Sequence, residues 1–172
     1  YLWRFVPSDL VDVVPAELTD PLLTSRFGVR IFAYNKNLNP DGCPIKNIWE
    51  LTNPEWKGKV VIEDPLNDAS TLGILMSIAT HEEELIAAYK ELYGTDPVLD
   101  ADTETVGQLW FKRFAQNGPV AQPGGDEVDS AFALPGMTES YIGFTSYSNY
   151  PDVLEGKLVF EPCWDLMPIV GV

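Results

Sequence analysis

The chain holds one histidine, two cysteines and only 11 basic residues against 26 acidic ones, and each scarcity removes a class of function. With His81 alone, a Ser-His-Asp or Cys-His site has to use a residue that lies in a run of glutamates. That residue is also the second position of the capping-box pattern Thr80-His81-Glu82-Glu83, so it reads as an exposed, structural histidine. No G-x-S-x-G elbow is present, and neither Cys43, beside Pro44, nor Cys163, beside Pro162, has a neighbour that would activate a thiol. Covalent hydrolase chemistry is disfavoured, no catalytic residue is assigned, and the chain is not expected to be an enzyme.

Metal and nucleotide motifs are missing as well. No Cys-x-x-Cys or Cys/His cluster offers a zinc site. Asp100, Asp102 and Glu104 open like a calcium loop, but Thr105 stands where that loop needs glycine and Phe111 where it needs glutamate. Gly58-Lys59 and Gly156-Lys157 lack the upstream glycine and following hydroxyl residue of a P-loop, and there is no G-x-G-x-x-G. No metal and no cofactor are expected. The longest apolar run, LGILMSIA at 72–79, is far short of the ~18 residues of a membrane span, so membrane insertion is not expected. A formal charge of −15 repels phosphate backbones, which argues against a nucleic-acid partner. That acidity reads first as solubility and second as a field that steers a cationic ligand. The two cysteines read first as separate half-buried thiols; an extracytoplasmic location would permit them to pair instead.

What is present suits a single α/β domain. The chain has 172 residues, 45% of them hydrophobic and 12% aromatic, enough to bury a core. Helical patterns alternate with short Val/Ile/Phe-rich runs, which argues for an α/β architecture rather than a bundle or a sandwich; a mixed sheet flanked by helices is expected. Residues 1–30 carry Pro7, Pro15 and Pro21 and read as an extended connector, leaving 31–172 as the folded unit. Strands are expected at 29–34 (VRIFAY), 59–63 (KVVIE), 141–145 (YIGFT) and 157–160 (KLVF), with one helical turn at 48–51. Asp68 or Ser70 caps a helix through 72–79, and the capping box starts a second one that Gly94 ends. A third begins near Asp102 or Thr103, with Val106, Trp110 and Phe114 on one face, and a short fourth pairs Val128 with Phe132.

One stretch offers binding physics. A strand at 59–63 runs through Asp64-Pro65-Leu66-Asn67-Asp68 into a helix start at Ala69-Ser70-Thr71. Free N–H groups there, with two hydroxyls beside them, can hold an anion or polar group, and in open α/β sheets such strand-end loops carry ligands. Equally, Asp68 and Ser70 can serve only to cap the helix.

VRIFAYNKN followed by PIKNIWELTNPEWKGKVVIEDP resembles the second lobe of type 2 periplasmic binding proteins, near the iron and polyamine binders. In these a crossing strand precedes a dLtdPkwkGkv-i-dP-like segment, here Leu51-Thr52-Asn53-Pro54-Glu55-Trp56-Lys57-Gly58-Lys59-Val60. PGMTESYIGFTSYSNY resembles their passage from a helix into a strand and then a ligand-facing loop. The likeness runs from Val29 to about Pro162 and implies one lobe of a two-lobed, extracytoplasmic solute-binding protein, whose first lobe is absent here. Residues 1–30 would then be the connector near the hinge. Such a protein closes on a small molecule or ion and passes it to the permease of an ABC importer. The resemblance places Tyr34 and Asn35 by the hinge, Asp64, Ser70 and Thr71 on the cleft edge, and Ser146 and Tyr147 on the opposing loop. Ferric-ion binders of the group carry two adjacent tyrosines near that loop; here Ser148 and Asn149 separate Tyr147 from Tyr150. A lobe of this kind should have its chain ends close together. Two other readings rank below it: a stand-alone acidic interaction module, and then a hydrolase using carboxylates such as Asp64 and Asp68.

Overall fold

A computed structural model describes residues 28–166. The chain ends and most of the expected connector lie outside that range. Five strands form one mixed sheet: β1 (Arg30–Tyr34), β2 (Val60–Glu63), β3 (Val120–Gln122), β4 (Ile142–Ser146) and β5 (Glu161–Pro162), in the spatial order β3-β2-β4-β1-β5. β2 runs parallel to β3 and β4, whereas β1 is antiparallel to β4 and β5. The α/β class with a mixed sheet therefore holds.

Side-chain alternation along the strands divides the core into two layers. Phe32, Val60, Ile62, Ile142 and Phe144 face one side, where they meet Trp49, Leu75, Leu109 and Trp110. Ile31, Ala33 and Val61 face the other and meet Val128, Phe132 and Phe160. Helices α1 (Ala69–Thr80), α2 (Glu82–Tyr93) and α3 (Val106–Gln116) build the first layer. The second is built by α4 (Gly125–Phe132) and the short α5 (Tyr150–Leu154). A sheet buried on both faces explains why its inner strands read as continuous apolar runs. Gly143 marks the tightest contact of the second layer: a Cβ there would lie 2.2 Å from the Phe132 ring.

Several local expectations need correction. The capping box at Thr80 does not form, because α1 runs on through Thr80, whose hydroxyl donates to the Ser77 carbonyl. His81 becomes the junction of α1 and α2, half-buried, with Nδ1 2.7 Å from the same carbonyl oxygen. The Glu82 carboxylate instead accepts from the Val106 and Gly107 N–H groups, closing the start of α3. That helix begins later than Asp102, with Thr105 as its cap, and Asp100 and Asp102 both pair with Lys112. A true capping box joins Asn47 and Glu50, around the 3-10 turn Ile48–Thr52.

The final strand also differs from expectation. Residues 157–160 are not strand; pairing falls on Glu161 and Pro162, opposite Tyr34 and Ala33. This sets Cys163 beside the middle of β1, its N–H donating to the Phe32 carbonyl, where the loop after β1 delivers Cys43. The two cysteines are joined in a disulfide, with Cα atoms 5.3 Å apart across 120 residues of sequence, and are not the separate thiols expected.

Candidate functional site

Because β2, β3 and β4 run in parallel, their carboxyl ends emerge on one side of the sheet, and the antiparallel β1 begins there. Arg30 is paired with Ser146 in the register, and the Asp64 N–H bonds the Gln122 carbonyl at 2.8 Å, tying the ends of β2 and β3. The loop after β2 opens α1, the loop after β3 opens α4, and a 3-10 turn at Tyr147–Asn149 follows β4. This is the edge at which open α/β sheets hold ligands.

Arg30 organises the edge. Its Nη2 donates to Glu63 Oε2 at 3.1 Å, Asp68 Oδ2 at 3.2 Å and Ser70 Oγ at 3.2 Å. Asp68 caps α1 by accepting from the Ser70 and Thr71 N–H groups, so the helix start offered by the sequence to an outside anion is already filled by the chain's own carboxylate. Burial alone would raise the Asp68 carboxyl, but hydrogen bonds from Ser70 and Thr71 outweigh it and bring the pKa to about 2. The Ser70 hydroxyl donates to Asp68 and accepts from Arg30. A serine held in this way is a hydrogen-bonding group, not an activated nucleophile. A cleft of about 250 Å³ opens beside these groups, lined by Val29, Arg30, Ala69, Ser70, Gly73 and Ser146 among others.

Across β4 the second layer supplies another polar group. Asp129 is 4% exposed, and its carboxylate accepts from the Thr145 hydroxyl and, at 2.6 Å, from Asn149 Nδ2. Burial pushes this carboxyl up, opposed by those two hydrogen bonds. Beyond Asn149, the Tyr147 ring stacks on Tyr150 with centroids 5.1 Å apart and meets Trp164 edge-on at 5.9 Å. Trp164 is 69% exposed, so the aromatic group presents a face to solvent.

The structure brings Ser70 and Ser146 together on the cleft, with Tyr147 one residue away. Thr71 is next to Ser70 but fully buried, its hydroxyl unpartnered among the described residues. Asp64 closes its own turn, accepting from the Leu66 N–H and Asn67 Nδ2. Tyr34 and Asn35 are not part of this cluster: they lie at the other end of β1, both buried. The Asn35 amide donates to the Phe132 and Leu134 carbonyls, and burial, then the Glu161 carboxylate, push the Tyr34 hydroxyl up.

Sequence reasoning missed Arg30, Glu63, Asp129, Asn149 and Trp164. Arg30 and Glu63 carried a faint signal as charges at the ends of otherwise apolar strands. Trp164 could have been placed only by pairing the cysteines, since Cys163 anchors it beside β1. A wider and mainly apolar groove of about 810 Å³ lies between α1 and α3, against Leu72, Met76 and Phe111, and shares no lining residue with the cleft. Among the described residues, no group of three or more acidic, histidine or cysteine side chains could hold a metal ion. Comparison of the chain with protein-family models, curated proteins and solved structures found no match.

Proposed function

We propose that this chain is the solute-binding lobe of an extracytoplasmic receptor of the type 2 periplasmic-binding kind, which holds a small solute for an ABC importer by closure and without chemistry. The observation that carries the reading is the convergence of three strand-end loops on one sheet edge, with Val29 and Trp164 beside them. Val29, just before β1, accepts from the Tyr147 N–H at 2.9 Å, and Trp164, just after the last strand, packs on the Tyr147 ring. In a two-lobed receptor the segments that cross to the second lobe lie side by side next to the cleft, and the neighbouring Val29 and Trp164 suit that arrangement. The Cys43–Cys163 disulfide is compatible with an extracytoplasmic location. Arg30, Ser70, Ser146 and the Tyr147/Trp164 face would form the wall that meets the solute, and the permease would be met through the full-length protein.

A thermal-shift series with putrescine, spermidine, ferric citrate and inorganic phosphate, each at millimolar concentration on the receptor containing this lobe, tests the reading. One probe is expected to raise Tm by several degrees, and Ser146→Ala should shrink the rise. If none moves Tm, or if the rise is the same in Ser146→Ala, the cleft is not the binding site. The apolar groove between α1 and α3 favours the second reading, an acidic interaction module, because exposed Leu72 and Met76 give a partner protein something to cover. For that reading Met76→Glu would abolish a protein contact and leave every solute response intact.

A further inference from the structure

Asp129 is a buried carboxylate, and its two partners belong to different parts of the fold. Thr145 sits inside β4, a fixed strand of the sheet, while Asn149 sits in the 3-10 turn that follows it. α4 holds Asp129 in place from behind, since Val128 and Phe132 on the same helix are fully buried and Phe132 lies against Gly143. One rigid group therefore reaches from the helix through the strand to the turn.

We propose that Asp129 is a positioning residue that clamps the 146–149 turn, and so sets the Tyr147 ring against Tyr150 and Trp164 in the orientation that meets a solute. It acts through Asn149 and touches no ligand itself. This rests on the proposed binding role only for the purpose of the turn; the clamp itself is a property of the free protein.

The other contacts of the turn show why a clamp is required. Apart from Asn149, the turn is held by the Tyr147 N–H on the Val29 carbonyl, by the Tyr150 N–H on the Tyr147 carbonyl, and by local bonds to its hydroxyls, Ser146 to Ser148 at 2.7 Å and the Ser148 N–H to Ser146 Oγ at 3.3 Å. Ser148 is exposed, and Tyr147, 36% exposed, rests on the Tyr150 and Trp164 rings, so burial restrains the turn only in part. A hydrogen bond to a carboxyl acceptor shielded from water restrains such a segment more than bonds between exposed hydroxyls do.

Amide hydrogen exchange on the solute-free protein reads the clamp directly. Asn149→Ala removes the tether from a half-buried position and should speed exchange at the Tyr147, Ser148 and residue-149 amides by about tenfold or more, with β1, β2 and α1 unchanged. The Trp164 contribution to emission, taken as the difference from Trp164→Phe in each background, should shift with it as Tyr147 moves away. Asp129→Ala should loosen the same amides, and the double variant should be no looser than either single one, since both remove one interaction. Exchange within about twofold of the parent in a folded Asn149→Ala protein would overturn the proposal. So would loosening that is uniform across the sheet, which marks a structural role alone. None of these readings needs a solute, so a failed solute screen and a failed clamp are separate results.

Discussion

The two ends of β1 lie roughly 13 Å apart and put similar residue types to opposite uses. At one end Arg30 meets Glu63, Asp68 and Ser70 through a single nitrogen, in a half-buried cluster that borders a cleft. At the other end Asn35 is 1% exposed, donates to two carbonyls, and sits in the same stretch as Tyr34, β5 and the Cys43–Cys163 disulfide. Both ends are polar, but only one stays open to solvent. A polar residue next to a strand thus marks a site only when its partners leave it exposed; sealed on all sides, it is a brace. The closed end fixes the frame against which the open end can present its groups.

Disrupting the closed end should cost most. Reducing the disulfide, or replacing both cysteines by serine, removes a cross-link that spans 120 residues, and should cost about 2–4 kcal/mol. A fall in the urea midpoint, together with altered Trp164 emission because Cys163 no longer anchors its neighbour, is the expected result. An unchanged midpoint would show that β5 pairing alone holds this end.

Asn35→Ala should come next, at about 2 kcal/mol, because it leaves the buried Phe132 carbonyl without its donor, while the Leu134 carbonyl keeps the Met137 N–H. More than a stability loss is expected here. Any solute response measured at the cleft should survive the substitution, since Asn35 is at the far end of the strand. Loss of that response in a still-folded protein would join the two ends into one site and break the distinction between them.

Much of the frame was legible because it depends on local pattern. The run at 29–34 and the run at 59–63 became β1 and β2, and the spacing of Val106, Trp110 and Phe114 gave the buried face of α3. Gly94 ends α2 with φ 73°, the left-handed conformation that glycine adopts without strain. What failed depended on partners distant in sequence. Thr80 had a free choice between capping a new helix and extending the old one, and α1 runs on through it where Gly107 of α3 lies against the Ala79 carbonyl. β3 is three residues long and mostly exposed, so it carried no apolar signal. At the candidate site, Ser146 came only with the family resemblance, whereas Ser70 was legible from the strand-to-helix pattern. The Arg30 and Asp129 contacts were not, because each is made by tertiary neighbours at least 16 residues away.

The open end should respond least to mutation and most to pH. Asp68→Ala removes the cap of α1 and one partner of Arg30, for a cost of about 1 kcal/mol near neutral pH. The Asp68 pKa of about 2 lies below the ordinary value of 3.8, so the carboxylate is bound more tightly in the folded chain than in the unfolded one. Its contribution is therefore complete above the ordinary value and is lost as pH falls through the folded one. Asp68→Asn keeps a good capping side chain but cannot ionise, so its contribution does not titrate. Measured as urea midpoints, the advantage of the parent over Asp68→Asn should be steady down to about pH 5 and shrink by about pH 2.5, whatever the other carboxylates do in both proteins. A gap that stays constant across that window would mean that the charge on Asp68 adds nothing to the cap, and that Arg30 is held by Glu63 and Ser70 alone.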